Sequence, residues 1–165
     1  MAVVTVKSGV ITNRDASPPV ANASNVSGGV VKRIVGTMEV TNGDSIASKF
    51  LLAQVPSNAV INSIRIFCDA ITSAAGDIGL YQTTANGSAV VLATAYATAF
   101  SIATAITLGT EVAFEARDII NIAKRVFEDA GLTADPQRFY DIVLTLTAAA
   151  TASGTVSFAI EYVDF

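Results

Sequence analysis

Hydrophobic and polar positions alternate with a period of two along much of the chain. In "RIVGTMEV", Ile34, Gly36, Met38 and Val40 fall on one face and Arg33, Thr37 and Glu39 on the other, the pattern of a half-buried strand. "TNGDS" then supplies turn residues, and a second run from Ile46 to Val55 sets Ile46, Phe50 and Leu52 against Lys49 before Pro56 ends it. From Val60 onward Ile64, Ile66, Cys68 and Ala70 oppose Ser63, Arg65 and Asp69. "IGLYQ" predicts a short strand, and the Asn86-Gly87 pair behind it suits a turn with positive φ. Ala89 to Leu92 reads as extended. Residues 93–107, rich in Ala and Thr, satisfy helix and strand preferences alike and stay unassigned.

The period changes in the last third. Ile119, Ile122, Ala123, Val126, Phe127 and Ala130 recur at three-to-four spacing with Gly131 behind them, which predicts one amphipathic helix over about 116–130 with a glycine C-cap. Alternation then returns, with Tyr140, Ile142, Leu144 and Leu146 in one run and Val156, Phe158, Ile160 and Tyr162 in the next. "AATASGT" between them predicts a C-terminal hairpin. Seven or eight short strands with one late helix predict a mainly β chain, an antiparallel β-sandwich of jelly-roll-like winding. Residues 1–30 stand apart: a Val-rich run leads into "NRDASPPVANASNVSGG", whose Pro, Gly, Asn and Ser predict an extended N-terminal arm ahead of a single domain over 31–165.

Composition narrows the function classes. The 165 residues are 52% hydrophobic and 15% charged, far below the share of about 25% in an average domain, so part of the surface is expected to be covered by partners. Net charge is −4, and the adjacent basic pairs Lys32-Arg33 and Lys124-Arg125 form no phosphate-tracking stripe, so direct nucleic-acid binding is not expected. From Ile78 to Thr110 no residue is charged, yet Ala, Thr and Ser dominate that stretch and make it a sheltered strand region sooner than a membrane span. No secretory leader pattern opens the sequence, so folding in a cytoplasm is expected.

Chemistry has few side chains to work with. There is no His, no Trp and one Cys, Cys68, which lies in an alternating run and reads as a buried thiol. Phosphate-loop, zinc-protease, paired-cysteine and nucleophile-elbow motifs are all missing from the sequence, so no catalytic, cofactor-binding or metal-ligating residues are assigned and an enzyme is not expected. The carboxylate pairs Asp69 with Asp77 and Glu111 with Glu115 offer the spacing problem of a glycosidase no better than chance, and Asp135-Pro136 with Asp141 reads as a turn more readily than as a cation site.

Three stretches, "VPSNAVINSIRIFCDAI" (Val55 to Ile71), "GDIGLYQTTANGSAVV" (Gly76 to Val91) and "GLTADPQRFYDIVLTLTAAATASGTVSFAIEYV" (Gly131 to Val163), with "TNRDASPPV" in the lead-in, resemble small virion structural proteins of tailed bacteriophages. They are most similar to head decoration, or cement, proteins. The resemblance implies a jelly-roll-like sandwich, assembled in the host cytoplasm, that binds the major capsid protein on the outer surface of the virion. It also implies a homo-oligomer, dimer or trimer, that reinforces the head. Val3, Val4, Val6, Val10, Ile11, Pro18, Pro19 and Val20 in the arm are the expected capsid or subunit contacts. A second reading is a carbohydrate- or receptor-binding module of a tail or adhesin, for which Tyr81, Tyr96 and Phe100 would have to be exposed.

Overall fold

The computed structural model describes residues 6–23 and 26–164. Eight strands form in chain order: β1 (Val30–Val40), β2 (Lys49–Pro56), β3 (Val60–Cys68), β4 (Ala75–Gln82), β5 (Val90–Ser101), β6 (Ile106–Glu111), β7 (Phe139–Ala148) and β8 (Gly154–Asp164). They make two four-stranded sheets, ordered β1-β8-β3-β6 and β2-β7-β4-β5. Every pairing is antiparallel: the first strand pairs with the last, the second with the seventh, the third with the sixth and the fourth with the fifth. That is the jelly-roll winding, a long hairpin of strand pairs rolled into two facing sheets.

Alternation decided which side of each strand faces the core. Ile64, Ile66 and Cys68 of β3, Ile142, Leu144 and Leu146 of β7, and Val156, Phe158 and Ile160 of β8 are buried between the sheets with Ile78 and Leu80 of β4. Each such side chain contributes about 1.5–3 kcal/mol by leaving water. Ile46 lies before β2 and Ala70 beyond β3, and both are exposed. The uncharged Ile78 to Thr110 stretch forms the end of β4, β5 and most of β6. Among the described residues no helix is long and apolar enough to cross a membrane.

Three expectations are corrected. The C-terminal hairpin does not form: β7 lies between β2 and β4, while β8 lies between β1 and β3 in the opposite sheet, so the 149–153 connection crosses the sandwich. Alternation is identical for a hairpin and for an arch of this kind, because it records the buried face and not the hydrogen-bonded neighbour. The helix over 116–130 is broken into a 3-10 turn, Ile119–Asn121, and a four-residue helix α2 (Val126–Asp129). The amides of Val126 and Phe127 donate to Ala59 and Ser57 carbonyls at 2.8 and 2.9 Å, so contacts to the β2–β3 connection replace helical ones at that end. Gly131 does follow the helix with φ +78°, as a C-cap glycine should. The arm, finally, is not extended throughout. Gly9–Arg14 form a helix, α1, whose first turn is capped by the Ser8 hydroxyl accepting from the Ile11 amide.

Candidate contact surface

The segment between β6 and β7 carries the buried pair Arg117 and Asp129 and three exposed isoleucines. Its entry is tied down by Glu111, whose Oε1 accepts from the amides of Ile64 and Ala113 at 2.9 Å each, and Val112 and Ala113 are fully buried. The Ala116 amide then donates to the Tyr96 carbonyl of β5 at 2.8 Å. Arg117 turns inward from there. Its guanidinium donates to the carbonyls of Lys124 (3.0 Å) and Ile61 (3.4 Å) and lies 5.3 and 6.0 Å from the ring centres of Phe114 and Tyr96. Asp129 of α2 sits 3.1 Å from the same guanidinium, both side chains being almost completely buried.

This cluster is incompletely satisfied. Tyr96 Oη, Arg117 Nε and Asp129 Oδ2 are buried without a hydrogen-bond partner among the described residues, so the Arg117–Asp129 contact is one of charges close together, without an aligned N–H. Burial dominates the Asp129 carboxyl and pushes it up to about 6, although Arg117 and Lys124 pull the other way. The Tyr96 hydroxyl is also pushed up by burial. Removing an orphaned hydroxyl costs nothing in lost hydrogen bonds, so Tyr96→Phe is expected to leave stability unchanged or raise it by about 1 kcal/mol in chemical denaturation.

The anchored segment displays an apolar turn. Asp118 accepts from the Ile120 amide at 3.1 Å, and backbone bonds from Asn121 to Asp118 and from Lys124 to Asn121 close the turn. Ile119, Ile120 and Ile122 project from it with 78%, 81% and 64% of their surface exposed. Beside them, Leu92 and Thr94 of β5 line a cleft of about 400 Å3 with Asp118, Asn121 and Lys124, and Arg117 and Asp129 contribute to its wall. Ile119, Ile120 and Ile122 are thus held in water by a hydrogen-bonded turn that follows the buried Arg117, an apolar patch on the exposed surface.

The expected core stripe included Ile119 and Ile122, and the structure exposes both. The spacing signal was genuine for Val126 and Phe127, which are buried, and for Ala130, which is half-buried against the core. No pattern in the sequence pairs Arg117 with Asp129, since the contact requires α2 to fold back on the loop that precedes it.

The arm residues lie elsewhere. Val3 and Val4 are outside the described residues; Val6, Pro18, Pro19 and Val20 are exposed, and Val10 and Ile11 are half-buried in α1. Among the described residues the arm's side-chain hydrogen bonds stay within it, including Lys7 to Asp15 (2.9 Å) and Asn13 to Asn22 (2.8 Å).

The acids weighed for catalysis hold backbone donors. Asp69 accepts from Thr155, Asp77 from Ala99 and Glu115 from Thr98, while Asp135 accepts from the Ser57 hydroxyl and the Gln137 amide. Asp141 is in β7, away from that turn, where burial raises its carboxyl. Among the described residues no group of three potential ligands could hold a metal ion. Tyr81 and Tyr96 are buried and Phe100 is half-buried, so these three rings make no open stacking platform for a sugar.

No family model matches the sequence, and no curated protein matches it. Among solved structures, a chain in the capsid asymmetric unit of cyanophage Pam1 is similar in fold, with a TM-score of 0.52 and 17% sequence identity over 82% of this chain and 85% of that one. At that identity the likeness is one of architecture, and it spans most of both molecules.

Proposed function

We propose that this chain is a non-enzymatic structural protein of a phage virion, which attaches to the outside of the capsid as a homo-oligomer and stabilises the head. The observation that carries the reading is the jelly-roll fold shared over most of its length with a chain of a cyanophage capsid asymmetric unit. The surface supports it: the Ile119–Ile122 turn offers apolar contact area on a braced platform, and repetition around a shell makes individually weak contacts effective together. Residues 1–30 act as an arm that gains contacts on a neighbouring subunit or on the major capsid protein. This assignment includes Val6, Val10, Ile11, Pro18, Pro19 and Val20.

Mixing the protein with undecorated heads of the phage that encodes it, followed by sedimentation, tests the reading. The native chain is expected to pellet with the heads at a saturating ratio. Replacing Ile119, Ile120 and Ile122 together by Ser is expected to abolish pelleting while moving the melting temperature by less than about 4 °C, since exposed side chains contribute little to folding. A native chain that stays in the supernatant would sink the capsid reading.

A further inference from the structure

Four strands sit at sheet edges: β1 and β6 in one sheet, β2 and β5 in the other. Free edges template pairing with other chains unless they are short, bulged or interrupted by proline. β6 has six residues and a positive-φ glycine, Gly109. β2 carries a bulge and ends on Pro56, and β5 is bulged repeatedly, with Ala99 at φ +48°. β1 has none of these devices. It runs for eleven residues in unbroken register with β8 from Val30 to Val40. Its charges lean back onto its own sheet, Lys32 against Asp164, Arg33 against Glu161 at 3.9 Å and Glu39 against the Thr155 hydroxyl at 2.7 Å. Val30, Val31 and Val35 are exposed along it, and Ile34 and Met38 remain half-exposed although they face the core.

We propose that the β1 edge pairs antiparallel with β1 of a second copy of this chain across a two-fold axis at Gly36, joining the two sheets into one of eight strands. The register follows from the residues. A two-fold axis perpendicular to the sheet places residues of the same face opposite each other, so the axis must pass through a residue and not between two. Centred on Gly36, Arg33 of each chain faces Glu39 of the other on the outer face, and Ile34 faces Met38 on the inner face. Centred on Val35 or on Thr37, neither Arg33 nor Glu39 meets an opposite charge. Gly36 also suits the axis. The Phe158 ring occupies the place of its missing side chain, 2.6 Å from where a Cβ would sit, so nothing projects from the two facing glycines. The exposed Arg33–Glu161 contact is long enough for Arg33 to share itself with Glu39 of the partner.

The proposal rests on the homo-oligomer part of the function proposed above and not on capsid attachment. Light scattering is expected to give twice the single-chain mass for the native protein. Arg33→Glu or Glu39→Arg is expected to weaken the dimer by about tenfold or more, because each places like charges opposite at two symmetric positions. The double exchange R33E/E39R is expected to restore it. As a register test, a mixture of R33C and E39C chains should form a mixed disulfide on mild oxidation, whereas R33C alone should not, its two copies lying about 20 Å apart along the strands. A native monomer, single reversals without effect, or no preference for the mixed disulfide would overturn the proposal. Sedimentation with heads separates the two readings: a monomer that still pellets removes this interface and leaves the capsid reading, and a dimer of this register that does not pellet does the reverse.

Discussion

Arg117→Met is expected to destabilise the fold by about 3–5 kcal/mol at pH 7.5, a fall of about 10 °C in melting temperature for a chain of this size. Methionine fills much of the space of the arginine stem but leaves Asp129 charged and buried, with the carbonyls of Ile61 and Lys124 short of their donor. The loss should shrink at pH 5. In the native protein burial already lifts the Asp129 carboxyl to about 6, above its value near 3.8 in the unfolded chain, so the folded state binds a proton more readily between those limits. This group therefore favours the native state more as pH falls through 6 towards 4, and less as pH rises again. Without Arg117 the folded value climbs further, and Asp129 is neutral at pH 5. Two comparisons check the sign: the native protein against Asp129→Asn, and Arg117→Met against R117M/D129L. Relative to Asp129→Asn, the native protein should gain stability on going from pH 7.5 to pH 5. R117M/D129L should recover most of the stability that R117M loses at pH 7.5, since paired apolar groups replace a buried ion pair at little net cost. An Arg117→Met protein that melts with the native one would show that the ion pair does not hold the 112–130 segment in place.

Gly79→Ala is expected to cost about 3 kcal/mol or more, although it adds one methyl group. The new carbon would stand 2.2 to 2.3 Å from the Ala93 carbonyl and the Leu92 oxygen, backbone atoms that cannot move aside as a flexible side chain would. The cause is local. Between Ile78 and Leu80, β4 advances two residues while β5 goes from Ala97 to Leu92, and the surplus folds over Gly79. The substitution should loosen β5 first, so limited proteolysis within residues 90–101 should accompany the fall in melting temperature. Gly87→Ala is the comparison: φ is +89° there and nothing lies within 4 Å of the added carbon, so backbone strain alone should cost about 1 kcal/mol. Equal effects at the two positions would mean that the β5 bulge yields easily.

Both sites explain why parts of this molecule were legible in the sequence and parts were not. The inner faces of β1, β3, β7 and β8 were readable because a strand between water and a core repeats every two residues, whatever it pairs with. Residues 93–107 resisted assignment because Ala and Thr suit several conformations. The structure shows them as the bulged half of β5, a loop over 102–105 and the start of β6, with the bulge closing over Gly79. The 119–130 spacing misled for a related reason. Its periodicity fits a helix, but Val126 and Phe127 give their amides to Ala59 and Ser57, and the three isoleucines of the turn point outward.

By itself the sequence determined the mainly β class, the buried faces of the long strands, the turn at Asn86-Gly87 and the C-cap at Gly131. These depend on neighbours within a few residues, where side-chain period and backbone freedom act directly. The tertiary structure decided that β7 and β8 belong to opposite sheets, that Arg117 reaches Asp129, that Ile119, Ile120 and Ile122 stand in water, and that among the described residues β1 remains an open edge. Each of these depends on which distant segment supplies the hydrogen-bond or charge partner, and local periodicity carries no information about that choice.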